Sequence, residues 1–170
     1  MSVILSKRKP SKYEALMFAS EIQKELTDLA IRNFGVKDLW FIMRTNPSIN
    51  VDVMDFEELE KEFRRTNWIM CELKKKIHNT SELLIEDLRS AYSRFPVNEH
   101  ELQIRRDKLN NAIVECEIIR TELQYAVELF NVDLNCYERI SKALDREISL
   151  IKTWRSKDNK IGNKFRTTER

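Results

Sequence analysis

The sequence predicts an all-α protein, an up-down four-helix bundle whose second helix is either divided or continuous. Three observations predict it. The 170 residues include only two glycines and three prolines, while 42% are apolar. Apolar residues recur at spacings of three and four along four stretches, the period of a helix with one buried face. Ser, Asp or Asn followed three residues later by Glu opens three of them. So little glycine leaves almost nothing for phosphate-cradling loops, tight hairpins or the turns of a nucleotide-binding sheet. The length suits one domain burying roughly 70% of its unfolded surface.

The first helix is expected over residues 12–34. Ser11 and Glu14 form its capping box, Ala15, Ala19, Ile22, Leu26 and Leu29 its apolar face, and Asn33-Phe34-Gly35 its stop. A short amphipathic piece, residues 36–43, then dissolves at Thr45-Asn46-Pro47-Ser48 within a linker that ends near residue 54. Residues 48–54 alternate too briefly for a strand and have no partner. Asp55 and Glu58 cap the second helix, whose seam reads Phe56, Leu59, Phe63, Thr66, Met70, Leu73 and Ile77. Asn79-Thr80-Ser81 either caps a new helix over 80–94 or is read through, and Leu84, Leu88, Ala91, Tyr92 and Phe95 lead to Pro96.

Asn98 and Glu101 open the next helix, over 99–130. Leu102, Leu109, Cys116, Leu123 and Phe130 recur every seven residues, with Ala112, Ile119 and Ala126 between them. At 1.5 Å per residue this is a rod of about 48 Å. The three-residue break Asn131-Val132-Asp133 forces an antiparallel return. The last helix, over 134–156, shows Tyr137, Ile140, Leu144, Ile151 and Trp154, with Glu147 interrupting the seam. The domain plan is a basic N-terminal arm (1–11), a helical bundle (12–156) and a basic flexible tail (157–170).

The net charge of +2 conceals a segregation: residues 1–12 and 155–170 together carry eight net positive charges and leave the body at −6. Basic arms on a folded body engage phosphate backbones without reading sequence. Lys7, Arg8, Lys9, Lys12, Arg155 and Lys157 are therefore candidate nucleic-acid contacts, joined by Arg106 and Lys108 of the third helix. Arg105 falls on the seam and is expected to pair internally with a glutamate such as Glu147. The run Lys74-Lys75-Lys76 reads as solvated charge near a helix end. Trp68, Ile118 and Tyr125 point away from the seams, which marks them as a protein interface and the chain as a homo-oligomer. The alternative for Trp68 is packing beneath the 36–54 linker.

No enzyme is expected. His78 and His100 belong to no metal-ligand or catalytic spacing, and Glu57, Glu58, Glu60 and Glu62 favour a helix dipole rather than paired acid-base work. No catalytic residue, metal or cofactor follows from the residues. Cys71, Cys116 and Cys136 are an odd set without ligand spacing, read as reduced packing residues of a cytoplasmic protein. No apolar stretch reaches the length of a membrane span.

The opening Met1-Ser2-Val3-Ile4-Leu5-Ser6-Lys7-Arg8-Lys9-Pro10-Ser11-Lys12 and the closing Ile148-Ser149-Leu150-Ile151-Lys152-Thr153-Trp154-Arg155-Ser156-Lys157-Asp158 resemble the two ends of a family of small bacterial four-helix-bundle proteins from clostridial mobile elements. That family is similar to the accessory variability determinant of diversity-generating retroelements and to the bundle proteins encoded in ribosomal-RNA intervening sequences. The resemblance covers about 55 residues in the first and last helices, and the matching positions are Lys7, Arg8, Lys9, Lys12, Trp154 and Arg155. Residues 36–54 look like an insertion, and the acidic run 55–62 departs from a strongly cationic nucleic-acid chaperone. The resemblance implies a helical bundle that assembles as a ring, binds a reverse transcriptase and handles nucleic acid through a basic surface.

The expected function is thus a non-enzymatic, nucleic-acid-associated accessory protein of a mobile element, binding DNA or RNA backbones non-specifically and partnered by a reverse transcriptase or another mobile-element protein. The alternative is a purely structural or protein-binding helical adaptor.

Overall fold

The computed structural model describes residues 12–45, 49–130, 132 and 135–168. Every regular element among them is helical: α1 (Lys12–Ile31), α2 (Leu39–Thr45), α3 (Phe56–Ser93), α4 (Glu99–Phe130) and α5 (Asn135–Thr168). Single 3₁₀ turns stand at Asn33–Gly35 and Val51–Val53. The basic arm, with Lys7, Arg8 and Lys9, lies outside the described residues, as does Ser11 of the first capping box.

Helices α1, α3, α4 and α5 pack in chain order, and α5 closes back on α1. Cross-links fix each neighbouring pair as antiparallel. Tyr13 meets Tyr92 across α1 and α3, while Lys74 reaches Asn33 at the other end. Lys76 pairs with Glu122 and Lys108 with Asp87 across α3 and α4. Arg105 pairs with Asp158 and Arg120 with Asp145 across α4 and α5. The core between them is built from the expected seams: Ala15, Ala19 and Ile22 of α1, Leu84 and Leu88 of α3, the full heptad set of α4, and Tyr137, Leu144 and Ile151 of α5 are all buried.

The second helix is undivided. Asn79-Thr80-Ser81 does not cap a new start, because the Ser81 hydroxyl donates to the His78 carbonyl one turn back, within an uninterrupted helix of 38 residues. The choice follows from burial: Thr80 and Ser81 face the core beside Ile77 and Leu84, so breaking the helix there would expose backbone groups to an apolar interior. The seam of α3 begins later than its periodicity suggests. Phe56 is 83% exposed, and Thr66, Met70 and Leu73 are the first residues of the helix to be buried. At the other end Tyr92 is half-exposed and Phe95 exposed. The helix start is held instead by its cap: the Asp55 carboxylate accepts from the Glu58 backbone N–H at 2.9 Å, and the Asp55 N–H donates to the Glu58 carboxylate. Asp55→Ala should therefore cost about 0.5–2 kcal/mol, read as a lower urea midpoint.

Helix α1 ends at Ile31, three residues before its expected end, because Asn33, Phe34 and Gly35 all take positive φ, at 52°, 58° and 85°. The expected glycine stop is there, but a phenylalanine shares the left-handed conformation, costing on the order of 1–3 kcal/mol. Its surroundings hold it in place. Phe34 is fully buried, stacks on Phe130 at 6.1 Å, and its carbonyl accepts the Tyr137 hydroxyl at 2.8 Å. The linker that follows does not simply dissolve: α2 buries Ile42 and Met43, and Trp40 stacks on Phe63 of α3 at 5.1 Å.

Two charged features depart from expectation. Helix α5 continues to Thr168 rather than stopping at 156, so residues 157–168 are helix and not a flexible tail. Its inward stripe continues past Trp154 to Asp158 and Gly162, where a Cβ would press on Leu102 at 3.1 Å. Arg105 pairs with this Asp158 at 2.8 Å, and not with Glu147. Glu147 is fully buried, and neither of its carboxylate oxygens has a hydrogen-bond partner.

Candidate functional site

Two edges of α4 carry opposite chemistry. On the α5 side, i and i+4 spacing along α4 sets Arg106 beside Asn110, and three- and four-residue steps along α5 set Lys152, Arg155, Ser156, Asn159 and Lys160 opposite them. Arg106 donates to the Asn159 side-chain oxygen at 2.8 Å, and Arg155 donates to that of Asn110 at 2.6 Å. Both guanidiniums are thus oriented by neutral amides, which fix their direction without cancelling their charge. Further along, a surface groove between the two helices is lined by Arg120, Lys152, Lys157 and Lys160, with the hydroxyls of Ser149, Thr153 and Ser156 between them. Its carboxylates, Glu117 and Asp145, both pair with Arg120. Six cations stand against two carboxylates in this set.

Three of the predicted contacts, Arg106, Arg155 and Lys157, come together on this edge. Lys108 does not. It faces α3, where it donates to Asp87 at 2.7 Å, and that bond raises the ammonium pKa above its usual value. Lys12 turns inward, 3.7 Å from Asp158 and over the Trp154 ring. Lys152 and Lys160 were missed as site residues, although their register with Arg155 and Asn159 places them on one face of any helix that continues past residue 156.

The α3 side of α4 carries exposed apolar side chains among paired charges. Trp68 is 62% exposed and Tyr125 46%, and the two flank one groove of about 520 Å³ whose other walls include Ile69, Glu72, Lys76 and Glu122. Ile118, 37% exposed, continues the Tyr125 strip one heptad back. The described part of the linker lies against Phe63 through Trp40, and Trp68 remains exposed. Leu83 and Val114, both half-exposed, extend the strip and had not been picked out. Leu83 sits seven residues after Lys76 and four before Asp87, which both bond across to α4, so it lies on the same side of α3. Near this end Glu115 is pushed up to about 7, chiefly by burial and then by the neighbouring Asp87 charge, against the pull of Lys108.

The remaining reactive side chains form no constellation. His78 stands 3.4 Å from Glu82 on the surface, and His100 is exposed. Cys116 is buried, and burial drives its thiol pKa well above the usual range. Cys71 is exposed rather than packed, and the Cys136 side chain lies outside the described residues. Among the described residues no group of three His, Cys, Asp or Glu side chains gathers to hold a metal. No described helix is long and apolar enough to cross a membrane. No family model, curated protein or solved structure matches the chain.

Proposed function

We propose that the four long helices form an up-down four-helix bundle that acts without catalysis, as a cytoplasmic accessory protein binding DNA or RNA through phosphate contacts along the α4/α5 edge. The observation that carries this reading is the pair of guanidiniums, Arg106 and Arg155, oriented by the neutral side chains of Asn159 and Asn110, on the edge that also holds Lys152 and Lys160. An array of this kind supplies positioned cations for a polyanion but no device for reading base edges. The exposed aromatics Trp68 and Tyr125 lie on the other edge of α4, so among the described residues these two offer the cations no stacking platform. The arm residues Lys7, Arg8 and Lys9 would add contacts of the same kind. The role in a mobile element, and a reverse-transcriptase partner, rest on the resemblance of the two chain ends.

The test is a salt series on duplex DNA and RNA. Each cation that neutralises a phosphate adds about 0.9 to the slope of log affinity against log salt on a DNA duplex. The double substitution Lys152→Gln, Lys160→Gln should lower that slope by about two and weaken binding alike on unrelated sequences, while Lys108→Gln should leave it unchanged. Equal slopes for the double variant and the parent protein would sink the assignment of this edge. A second reading, a protein-binding helical adaptor, is favoured by the exposed α3/α4 strip, and loss of all nucleic-acid binding at low salt would put it ahead.

A further inference from the structure

We propose that the α3/α4 edge is the docking surface for a second copy of this chain, related by a two-fold axis that crosses α3 at right angles beside Lys76. The pattern along the edge is self-complementary about that point. One end is a groove flanked by Trp68 and Tyr125; the other, beyond that groove along α3, presents Leu83, a half-exposed aliphatic side chain. Because α3 is one unbroken helix, the fifteen residues from Trp68 to Leu83 span about 22 Å at 1.5 Å each, with Lys76 near the midpoint. A two-fold there brings Leu83 of the second copy to the level of Trp68 and Ile69, between the two aromatic walls, and the reciprocal contact follows by symmetry.

Charge follows the same plan. Arg65 and Glu86 occupy equivalent positions three heptads apart on α3, both exposed, and the same axis sets Arg65 of one copy against Glu86 of the other, twice. In the single chain Arg65 makes a long contact to Glu62, 3.6 Å within the same surface turn. At the axis itself Lys76 pairs with Glu122 and Lys75 with Glu72, so each lysine brought to the axis carries its own carboxylate. An unrelated partner would have no reason to match an aromatic groove with an aliphatic knob, and a basic residue with an acidic one, at equal distances from one point. The surface is separate from the α4/α5 edge, so the inference does not rest on nucleic-acid binding.

Sedimentation equilibrium of the full chain tests it, with circular dichroism to verify folding of each variant. The expected result is a reversible dimer. Leu83→Glu should raise its dissociation constant by more than about tenfold, because a carboxylate would replace the aliphatic side chain between the Trp68 and Tyr125 rings, in a groove that already holds Glu72 and Glu122. Arg65→Glu and Glu86→Arg should each weaken it about threefold to tenfold, and the double variant R65E/E86R should recover the parent value. The recovery depends on contact between these two positions in different copies and does not require Leu83→Glu to fold. A monomer at tens of micromolar would overturn the proposal and leave the edge to another protein. An oligomer indifferent to all four variants would overturn it as well, by placing the self-contact elsewhere.

Discussion

Asp158→Ala should destabilise the protein by about 3–5 kcal/mol, the range for removing one partner of a buried ion pair. The Asp158 carboxylate and the Arg105 guanidinium are both buried and bond at 2.8 Å. Burial raises the Asp158 pKa and lowers that of Arg105, with the partner's charge opposing each shift, so the interior resists both ionised forms and their mutual attraction holds them. With Asp158 gone, Arg105 retains a 3.2 Å bond to the Arg94 carbonyl and its place 5.4 Å from the Trp154 ring centre, neither of which cancels a charge. Lys12 also loses its carboxylate. Replacing both partners by apolar residues, as in R105M/D158L, should return most of the loss, because it removes the stranded charge as well as the pair. Urea midpoints check this. A D158A midpoint equal to that of the parent chain would mean that the pair contributes nothing to the fold.

How far the sequence foretold these features depended on whether an apolar residue marked them. The α4 seam and the range 99–130 were readable in full, since Leu102 through Phe130 repeat every seven residues and an Asn98 cap precedes them; the Asn98 side chain accepts the Glu101 N–H at 2.9 Å. The end of α5 was not. After Trp154 the next inward positions are Asp158 and Gly162, a charge and the residue least suited to a helix, so the stripe vanishes from an apolar count while the helix continues. The basic edge was partly hidden for the same reason. Lys152 and Arg155 lie within the expected helix, but Lys157, Asn159 and Lys160 join Arg106 on that edge only once residues 157–168 are helical. Trp68, Ile118 and Tyr125 were identified by their position off the seam, and that geometry holds in the folded chain. Phe56 misled because it keeps the spacing of the seam on a stretch of α3 that extends beyond the last residues of α1 and α4.

Stability should fall as pH rises from about 5 to 8, and Glu147 is the principal cause. Its carboxyl sits on the inward stripe of α5, fully buried, with no hydrogen-bond partner for either oxygen. Burial pushes it up to about 8; the nearby Arg146 and Glu14 charges act in opposite directions. Those two residues pair with each other at 3.4 Å, which limits what either does for Glu147. The folded state therefore holds this proton more tightly than the unfolded chain, where an ordinary glutamate releases it near 4.5. The contribution is intact below the unfolded value and is lost as pH climbs through the folded one, at about 1.4 kcal/mol per pH unit, reaching roughly 5 kcal/mol by pH 8. Glu115, pushed up to about 7, adds a change of the same sign. Glu147→Leu removes the titration while keeping the core filled, so its advantage over the parent chain should widen by roughly 4 kcal/mol between pH 5 and pH 8. Urea unfolding of both proteins across that range measures it. Parallel profiles would show that Glu147 is ionised in the fold and finds compensation there, whereas divergence of the expected size makes this one carboxyl the main link between protonation and stability.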